Sequence, residues 1–229
     1  MALKLITSYI KNLALESYWE ERFKETYGII IDTNNGRDPL ILRETYQILS
    51  LMPIDLVKAC GVTKLSFRDD MGPNEKYTPN HGYYLHADRS VTMNTDIYYH
   101  PDKVDDFYDH TGYFLSRPIQ TLLHEFGHAA DQNLIGKGEL SLKSDWLKLS
   151  GWSEEPKPGL KKLIIDVPGS PKIIGDWFYS PESKFTRFYG KRSPWEDWAD
   201  CWAYYIGMIR DKLPKNKIEY FDNLLKKYF

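Results

Sequence analysis

The residues from His124 to His128 form an HExxH pattern, with two histidines four positions apart and a glutamate after the first. Apolar residues around it recur at spacings of three and four from Pro118 to Ile135, which predicts a helix. On a helix the two imidazoles lie one turn apart on the same face, so both can reach one ion. Because neutral imidazole is a good ligand for Zn²⁺, the pattern predicts a zinc site.

Glu125 lies beside this pair, where a carboxylate can accept a proton from a water activated by the metal. This interpretation makes Glu125 a general base rather than a metal ligand. The alternative is structural: His124 and His128 are two surface histidines on an ordinary amphipathic helix.

A catalytic zinc site needs a third protein ligand and leaves one position for water or substrate. The last long predicted helix offers candidates, since Ser193 and Pro194 match an N-cap and a first helical residue. Glu196 has two interpretations: it bonds the backbone N–H of Ser193 in a capping box, or it gives a carboxylate oxygen to zinc. Asp200, one turn later, would orient a ligating histidine through its free ring N–H. Spacing alone leaves both interpretations of Glu196 open.

Other polar residues are weaker candidates. No third histidine occurs in the residues 129–132, directly after His128. Asp131 shares the side of the predicted helix that carries the histidines, and either a supporting role near the metal or an ion-pair or capping role suits it. The four remaining histidines fall in predicted loops or in a hairpin, where we expect solvation or local hydrogen bonds: His81, His86, His100 and His110.

The first part of the chain predicts the elements that must position these groups. Residues 3–26 have the apolar spacing of an amphipathic helix, and residues 28–32 are interpreted as a short buried strand. A second helix covers residues 40–60 with an interruption at Pro53, and residues 62–68 are a second strand.

A hairpin is predicted from residues 83–87 and 90–98, joined by Asp88 and Arg89. Apolar and polar side chains alternate in its second strand, so we expect one packed face and one solvated face, as in an exposed or edge strand. An extended peptide could pair with such a strand, although an ordinary surface hairpin fits the pattern equally well.

The composition indicates one domain with a buried core, since the chain has 229 residues of which 42% are hydrophobic. A net charge of −2 gives no electrostatic case for nucleic acid or a membrane surface as a partner. Cys60 and Cys201 are expected to be buried free thiols. Residues 1–15 do not resemble a secretory signal, and no apolar run reaches membrane-spanning length, so a cytoplasmic location is expected, with export by another route left open.

We therefore predict a single catalytic domain over residues 1–229. Residues 152–179 are the least readable stretch and are interpreted as part of an insertion or lobe over the site. The parts of the domain are an N-terminal helical portion, the hairpin with the HExxH helix, the lobe, and the third-ligand helix with a C-terminal helix: residues 1–60, 83–135, 137–183 and 189–229.

Two stretches together resemble a known family. These are HEFGHAAD, which begins at His124, and YGKRSPWEDWAD, which begins at Tyr189 and contains Glu196. They are similar to the catalytic domain of anthrax lethal factor and the related Pro-Pro endopeptidases, which are gluzincins. The tyrosine precedes the glutamate by seven residues, as in the family. Asp200 stands where the family usually has glutamate.

The resemblance implies an α+β, zincin-like metalloprotease fold: a small mixed sheet with an edge-strand hairpin, an active-site helix and a C-terminal helical subdomain. It implies His124, His128 and Glu196 as zinc ligands, Glu125 as general base and Tyr189 as the hydroxyl that supports an oxyanion. The implied activity is hydrolysis of peptide bonds in a peptide or protein bound as an extended strand. Two alternatives stay open: a catalytically silent binding module with this fold, and a zinc hydrolase of a non-peptide amide.

Overall fold

The computed structural model describes most of the chain as a mixed arrangement of α-helices and two small β-sheets. The described residues are 2–32, 38–68, 81–99, 115–136, 138–165 and 173–229. Two of the histidines considered above, His100 and His110, lie outside these residues.

Three helices occupy the N-terminal part of the chain, as the periodicity predicts. Helix α1 spans Ala2–Tyr27, α2 spans Pro39–Leu49 and α3 spans Ile54–Ala59. Asp38 caps α2, where its side chain accepts a 2.8 Å hydrogen bond from the backbone N–H of Leu40. Apolar side chains of α2 and α3 are buried with those of the last turns of α1. These helices therefore form one end of the hydrophobic core.

The first sheet has four strands: β1 (Ile30–Asp32), β2 (Lys64–Arg68), β3 (Gly82–Leu85) and β4 (Ser90–Asn94). Their order is β1-β2-β4-β3. The pairs β1–β2 and β2–β4 are parallel, and β3 is antiparallel to β4. The predicted hairpin is thus present, and β3 is the terminal strand of this sheet.

The prediction of an exposed or edge strand at residues 90–98 is wrong. Strand β4 lies between β2 and β3, and all five of its residues are buried. Ser90, Thr92 and Asn94 are small enough to fit inside, so their polar character did not indicate solvent. The strand also ends early, because the Asn94 side chain accepts a 2.9 Å bond from the N–H of Asp96, and helix α4 (Asp96–Tyr99) begins.

The site-bearing helices follow. Helix α5 (Arg117–Asn133) carries the HExxH residues and packs against α7 (Pro194–Ile206), the predicted third-ligand helix. A 3-10 turn at Leu140–Leu142 and helix α6 (Ser144–Ser150) come after α5.

The predicted lobe contains a separate three-stranded antiparallel sheet of order β5-β7-β6. Its strands are β5 (Trp152–Ser153), β6 (Lys161–Ile165) and β7 (Ile173–Tyr179). A 3-10 helix at Tyr189–Arg192 leads from this sheet into α7. After α7, a 3-10 turn at Arg210–Lys212 precedes the last helix, α8 (Lys215–Leu225).

Buried apolar side chains from α1 to α8 form one hydrophobic cluster. Its centre contains the rings of Trp146, Trp198 and Trp202, with Trp198 and Trp202 stacked at 5.4 Å between centroids. Cys60 and Cys201 are free and buried, as predicted. In the described part of the chain, no helix combines the length and apolar character that crossing a bilayer demands.

Candidate metal centre

Helix α5 holds the two histidines in the geometry that the spacing predicts. His124 is 6% exposed and His128 is partly buried. Their Nε2 atoms lie 3.1 Å apart, and the two rings are perpendicular with centroids 4.7 Å apart. Two imidazole nitrogens therefore converge on one point at the buried face of the helix.

Helix α7 brings a carboxylate to the same point. Glu196 Oε2 lies 3.0 Å from His124 Nε2 and 3.3 Å from His128 Nε2. The three groups offer ligand atoms that all lie within 4.8 Å of one another. A tetrahedral shell with bonds of ~2.1 Å separates its donor atoms by roughly 3.4 Å, so this donor set fits Zn²⁺ with little adjustment.

The start of α7 shows how Glu196 reaches this position. Ser193 is the N-cap, and its hydroxyl accepts a bond of 3.3 Å from the backbone N–H of Glu196. This is one half of a capping box. The Glu196 carboxylate, however, points at the histidines and at Tyr189. The cap therefore orients the first turn of α7 and leaves the carboxylate for the site.

Asp200 lies one turn after Glu196 and is completely buried. Its Oδ1 accepts a 2.8 Å hydrogen bond from His124 Nδ1. This bond fixes the ring of His124 with Nε2 directed at the convergence point, and it makes Nδ1 the protonated nitrogen. The structure thus contains the predicted contact between Asp200 and a histidine of the pair, and the ligating role of that histidine stays a prediction.

Arg187 is a site residue that the sequence reasoning missed. Its Nε lies 3.0 Å from Asp200 Oδ1, and its Nη2 contacts the same oxygen. The guanidinium thus compensates the buried charge of Asp200, and an Arg187–Asp200–His124 chain results. Arg187 comes from an irregular segment two residues before Tyr189, where no periodicity marks it. Only its basic type beside the predicted tyrosine could have drawn attention to it.

Tyr189 lies at the edge of the centre. Its hydroxyl donates a 3.2 Å bond to Glu196 Oε1 and accepts one of 3.2 Å from Arg192 Nη1. Its ring is 5.8 Å from that of His124 and nearly perpendicular to it. The hydroxyl is therefore held close to the predicted metal position.

Glycine 127 lets the two helices approach closely enough to form this centre. A Cβ atom placed on Gly127 would lie 2.9 Å from the Cα of Ala199 and 3.2 Å from its carbonyl oxygen. Carbon atoms in contact normally lie about 3.5–4.0 Å apart. The second variable position of the HExxH pattern thus sets the distance between α5 and α7.

The electrostatics of the centre favour a positive charge at the convergence point. Burial by itself lowers the pKa of His124, but its hydrogen bonds to Asp200 and Glu196 outweigh burial and raise the pKa to about 10. Burial raises the pKa of Glu196, yet the hydrogen bonds to His124 and His128 hold it well below its ordinary value. The buried carboxylates thus favour a cation at this point.

Glu125 adjoins the histidines and is 6% exposed. Burial raises the pKa of its carboxyl, while the nearby His124 and His128 lower it. The net direction is upward, which suits a group that must take up a proton during a reaction.

The remaining candidates lie elsewhere. Asp131 accepts bonds of 2.6 and 2.7 Å from the N–H and hydroxyl of Ser141, so it caps the turn that follows α5. His81 Nε2 lies 2.6 Å from Arg117 Nη2. His86 contacts the hydroxyl of Tyr84 at 3.5 Å. The structure brings none of these three to the metal centre.

Comparisons with known proteins add little to this geometry. No protein-family model matches the chain, and no curated protein matches it. Among solved structures, the chain is similar to one described as a candidate zinc-binding metallo-peptidase from Bacteroides caccae. The identity is 14% and the TM-score 0.44, over 95% of this chain and 79% of that one. A likeness this distant does not identify the family.

Proposed function

We propose that this chain is a zinc-dependent metalloendopeptidase of the gluzincin type with a zincin-like fold. The observation that carries the proposal is the convergence of His124, His128 and Glu196 from two helices distant in sequence, with Glu125 beside them. A binding module without catalysis would not need a buried carboxylate next to the ligand set, since an unused buried carboxylate is destabilising.

His124, His128 and Glu196 would hold the metal through two imidazole nitrogens and one carboxylate oxygen. Bound there, zinc supplies Lewis-acid chemistry: it lowers the pKa of a water and polarises a substrate carbonyl. Asp200 keeps His124 in the tautomer and orientation that ligation requires, and Arg187 keeps Asp200 in place.

Glu125 acts as the general base. Its carboxylate accepts a proton from the attacking water and later delivers it to the leaving amine. Tyr189 then stabilises the oxyanion by donating a hydrogen bond from its hydroxyl, and such a donor contributes about 3 kcal/mol in comparable sites.

The substrate is a peptide or protein bound as an extended strand. Strand β3, and not β4, is the terminal strand of the first sheet, so β3 is the strand with which we propose that the peptide pairs. Strand β3 packs against α5, and a Cβ on Gly82 would lie 2.9 Å from the side chain of Thr121. A peptide that pairs with β3 therefore runs close to the helix that carries the histidines.

The decisive experiment combines metal analysis with a peptide library read by mass spectrometry. We expect one zinc per chain after dialysis, cleavage of a subset of peptides, and loss of cleavage with a chelator. Glu125→Gln should keep the zinc and lower the rate by at least about 100-fold, because only the proton transfer is removed. If the wild-type protein retains zinc but cleaves no peptide, the peptidase assignment fails. The two alternatives, a catalytically silent binding module and a hydrolase of a non-peptide amide, then remain.

The glutamate ligand has a separate test. Glu196→Ala should release zinc on dialysis, whereas Glu182→Ala, an exposed glutamate away from the centre, should not. Unchanged zinc content in Glu196→Ala would mean that Glu196 has only a structural role at the start of α7.

A further inference from the structure

Two adjoining cavities lie beside the segment that carries Tyr189. One, of about 480 Å³, is bounded by α6, the start of α8 and residues 180–184. The other, of about 650 Å³, lies between residues 183–191 and 212–214. Both are lined by Ser183, Lys184 and Pro214, so the two cavities form a continuous groove.

The groove concentrates positive charge. Its lining includes Glu182 as the one acidic residue, against five lysines that are exposed or half-buried: Lys148, Lys184, Lys191, Lys212 and Lys215. We call it the lysine groove. Since the whole chain has a net charge of −2, this concentration departs from the overall balance.

Most of this charge is not compensated within the described residues. Lys212 lies 3.4 Å from Asp211, and Lys215 is 3.9 Å from Glu219. Across the described ranges, no carboxylate forms an ion pair with Lys148, Lys184 or Lys191. The groove therefore offers several ammonium groups to an external anion, and the attraction is strongest for a chain with several negative charges.

The aromatic residues of the groove argue against nucleic acid as that chain. The ring of Phe185 is contacted by Trp152 at 5.4 Å and by Tyr179 at 5.2 Å between centroids. The ring of Phe188 is covered by the ammonium of Lys191 at 4.7 Å. Single-stranded nucleic acids are held by stacking of bases on aromatic faces, and these rings already have neighbours. A flat membrane surface is a poorer match than a flexible chain, because these lysines line a concave groove rather than a plane.

The groove and the metal centre share one wall. Arg187 lines the groove, while its guanidinium contacts Asp200, which in turn accepts a bond from His124. Tyr189 follows two residues later in the same segment. A ligand in the groove thus lies beside the chain segment that carries Arg187 and Tyr189.

We propose that the lysine groove binds an acidic segment of the protein substrate, rich in aspartate or glutamate, next to the cleaved region. This inference rests on the proposed peptidase function for the identity of its ligand. Carboxylate groups on a flexible chain match ammonium groups on flexible stems, and the interaction supplies affinity outside the catalytic centre.

Binding is tested with a fluorescently labelled octaglutamate peptide, measured by anisotropy on the Glu125→Gln protein. Changing Lys148, Lys184 and Lys191 together to glutamine should weaken binding about tenfold, since each exposed ion pair contributes a small part. The matched control changes three exposed lysines away from the groove to glutamine, and it should bind octaglutamate normally: Lys58, Lys226 and Lys227.

Three results would overturn the proposal at this stage. They are equal binding by the groove and control variants, equal binding of octaglutamine, and tighter binding of a thymidine octanucleotide or of phosphatidylserine vesicles than of octaglutamate. Either of the first two results would mean that the groove does not recognise acidic peptides. The third would mean that its partner is a nucleic acid or a membrane.

A second measurement connects the groove to substrate. Attaching octaglutamate to either end of a cleaved library peptide should lower KM about tenfold in the wild-type protein, leave kcat unchanged and have no effect in the groove variant. An unchanged KM at both ends refutes the substrate assignment even if octaglutamate binds. Failure to bind zinc or to cleave any peptide is a separate result that removes the proposed function and, with it, the substrate assignment.

Discussion

The contact between Gly127 and Ala199 gives a sharp test of how the centre is assembled. In Gly127→Ala, the new methyl group would lie 2.9 Å from the Cα of Ala199 and 3.2 Å from both its Cβ and its carbonyl oxygen. Two of these atoms belong to the backbone of α7, so no side-chain rotation relieves the contact. The helices must separate by about 0.5–1 Å to reach ordinary carbon contact distances.

The expected magnitudes differ for stability and for metal binding. Alanine is a better helix former than glycine by about 1 kcal/mol, whereas overpacking a core costs about 1–3 kcal/mol. The unfolding free energy should therefore fall by roughly 0–2 kcal/mol. Metal sites tolerate deviations of only about 0.2 Å, so moving Glu196 away from His124 by more than this should weaken zinc binding at least about tenfold.

The assay is zinc affinity by competition with a chelator, alongside thermal unfolding of the metal-free protein. In the Gly127→Ala background, Ala199→Gly removes one of the close contacts and should restore part of the affinity. Ala203→Gly, the same change on the next turn of α7, should restore none. Wild-type zinc affinity in Gly127→Ala, with or without a change in stability, would refute the claim that this contact sets the ligand geometry.

Three further predictions concern groups buried around the centre. Asp200→Ala should weaken zinc binding about 10- to 100-fold in chelator competition, because His124 loses the carboxylate that orients its ring. Asp200→Asn should weaken zinc binding less. Equal zinc affinity in the wild type and both variants would contradict an orienting role for Asp200. Lys217 Nζ lies 2.7 and 2.8 Å from the two carboxylate oxygens of Asp197 in the protein interior. Lys217→Met leaves that carboxylate unpaired, so it should lower the unfolding free energy by about 3–5 kcal/mol and the Tm by roughly 6–20 °C. The double variant Lys217→Met, Asp197→Leu should regain stability, because it removes both charges. Burial raises the pKa of Asp131 from its ordinary 3.8 to about 6. The folded protein then binds more protons between these values, so its unfolding free energy falls as the pH rises through this range. Denaturant titrations at about pH 4 and about pH 6.5 give the unfolding free energies of the wild type and of Asp131→Asn. Between these two pH values the wild type should lose about 2 kcal/mol of stability relative to Asp131→Asn, and a constant difference would be inconsistent with the raised pKa.

Local features of this chain were predictable because they depend on neighbours in sequence. The four-residue spacing of His124 and His128 places their rings together on any regular helix. The N-cap at Ser193 and the break at Pro53 follow from backbone chemistry within a few residues. The strands of the first sheet were located to within a few residues for the same reason, except where Asn94 turns the chain into α4, whereas the second sheet lies in residues 152–179, where no strand pairing was predicted.

Other features depend on contacts between distant segments. The alternation in residues 90–94 could not show that β4 lies between two strands, since small polar residues fit both a solvated face and a hydrogen-bonded interior. Arg187 contacts Asp200 only because the segment before Tyr189 folds back onto α7. No spacing rule connects those positions.

Glu196 shows most clearly the difference between what the sequence determines and what the tertiary structure determines. Its sequence context is satisfied equally by a capping box and by a place in a metal centre, because both use the same carboxylate at the start of the same helix. The direction of that carboxylate was decided by the close packing of α7 on α5 at Gly127, which brings it within 3.0 Å of His124. Helix propensity is local and can be read along the chain, whereas the approach of two helices depends on the shape of the whole core.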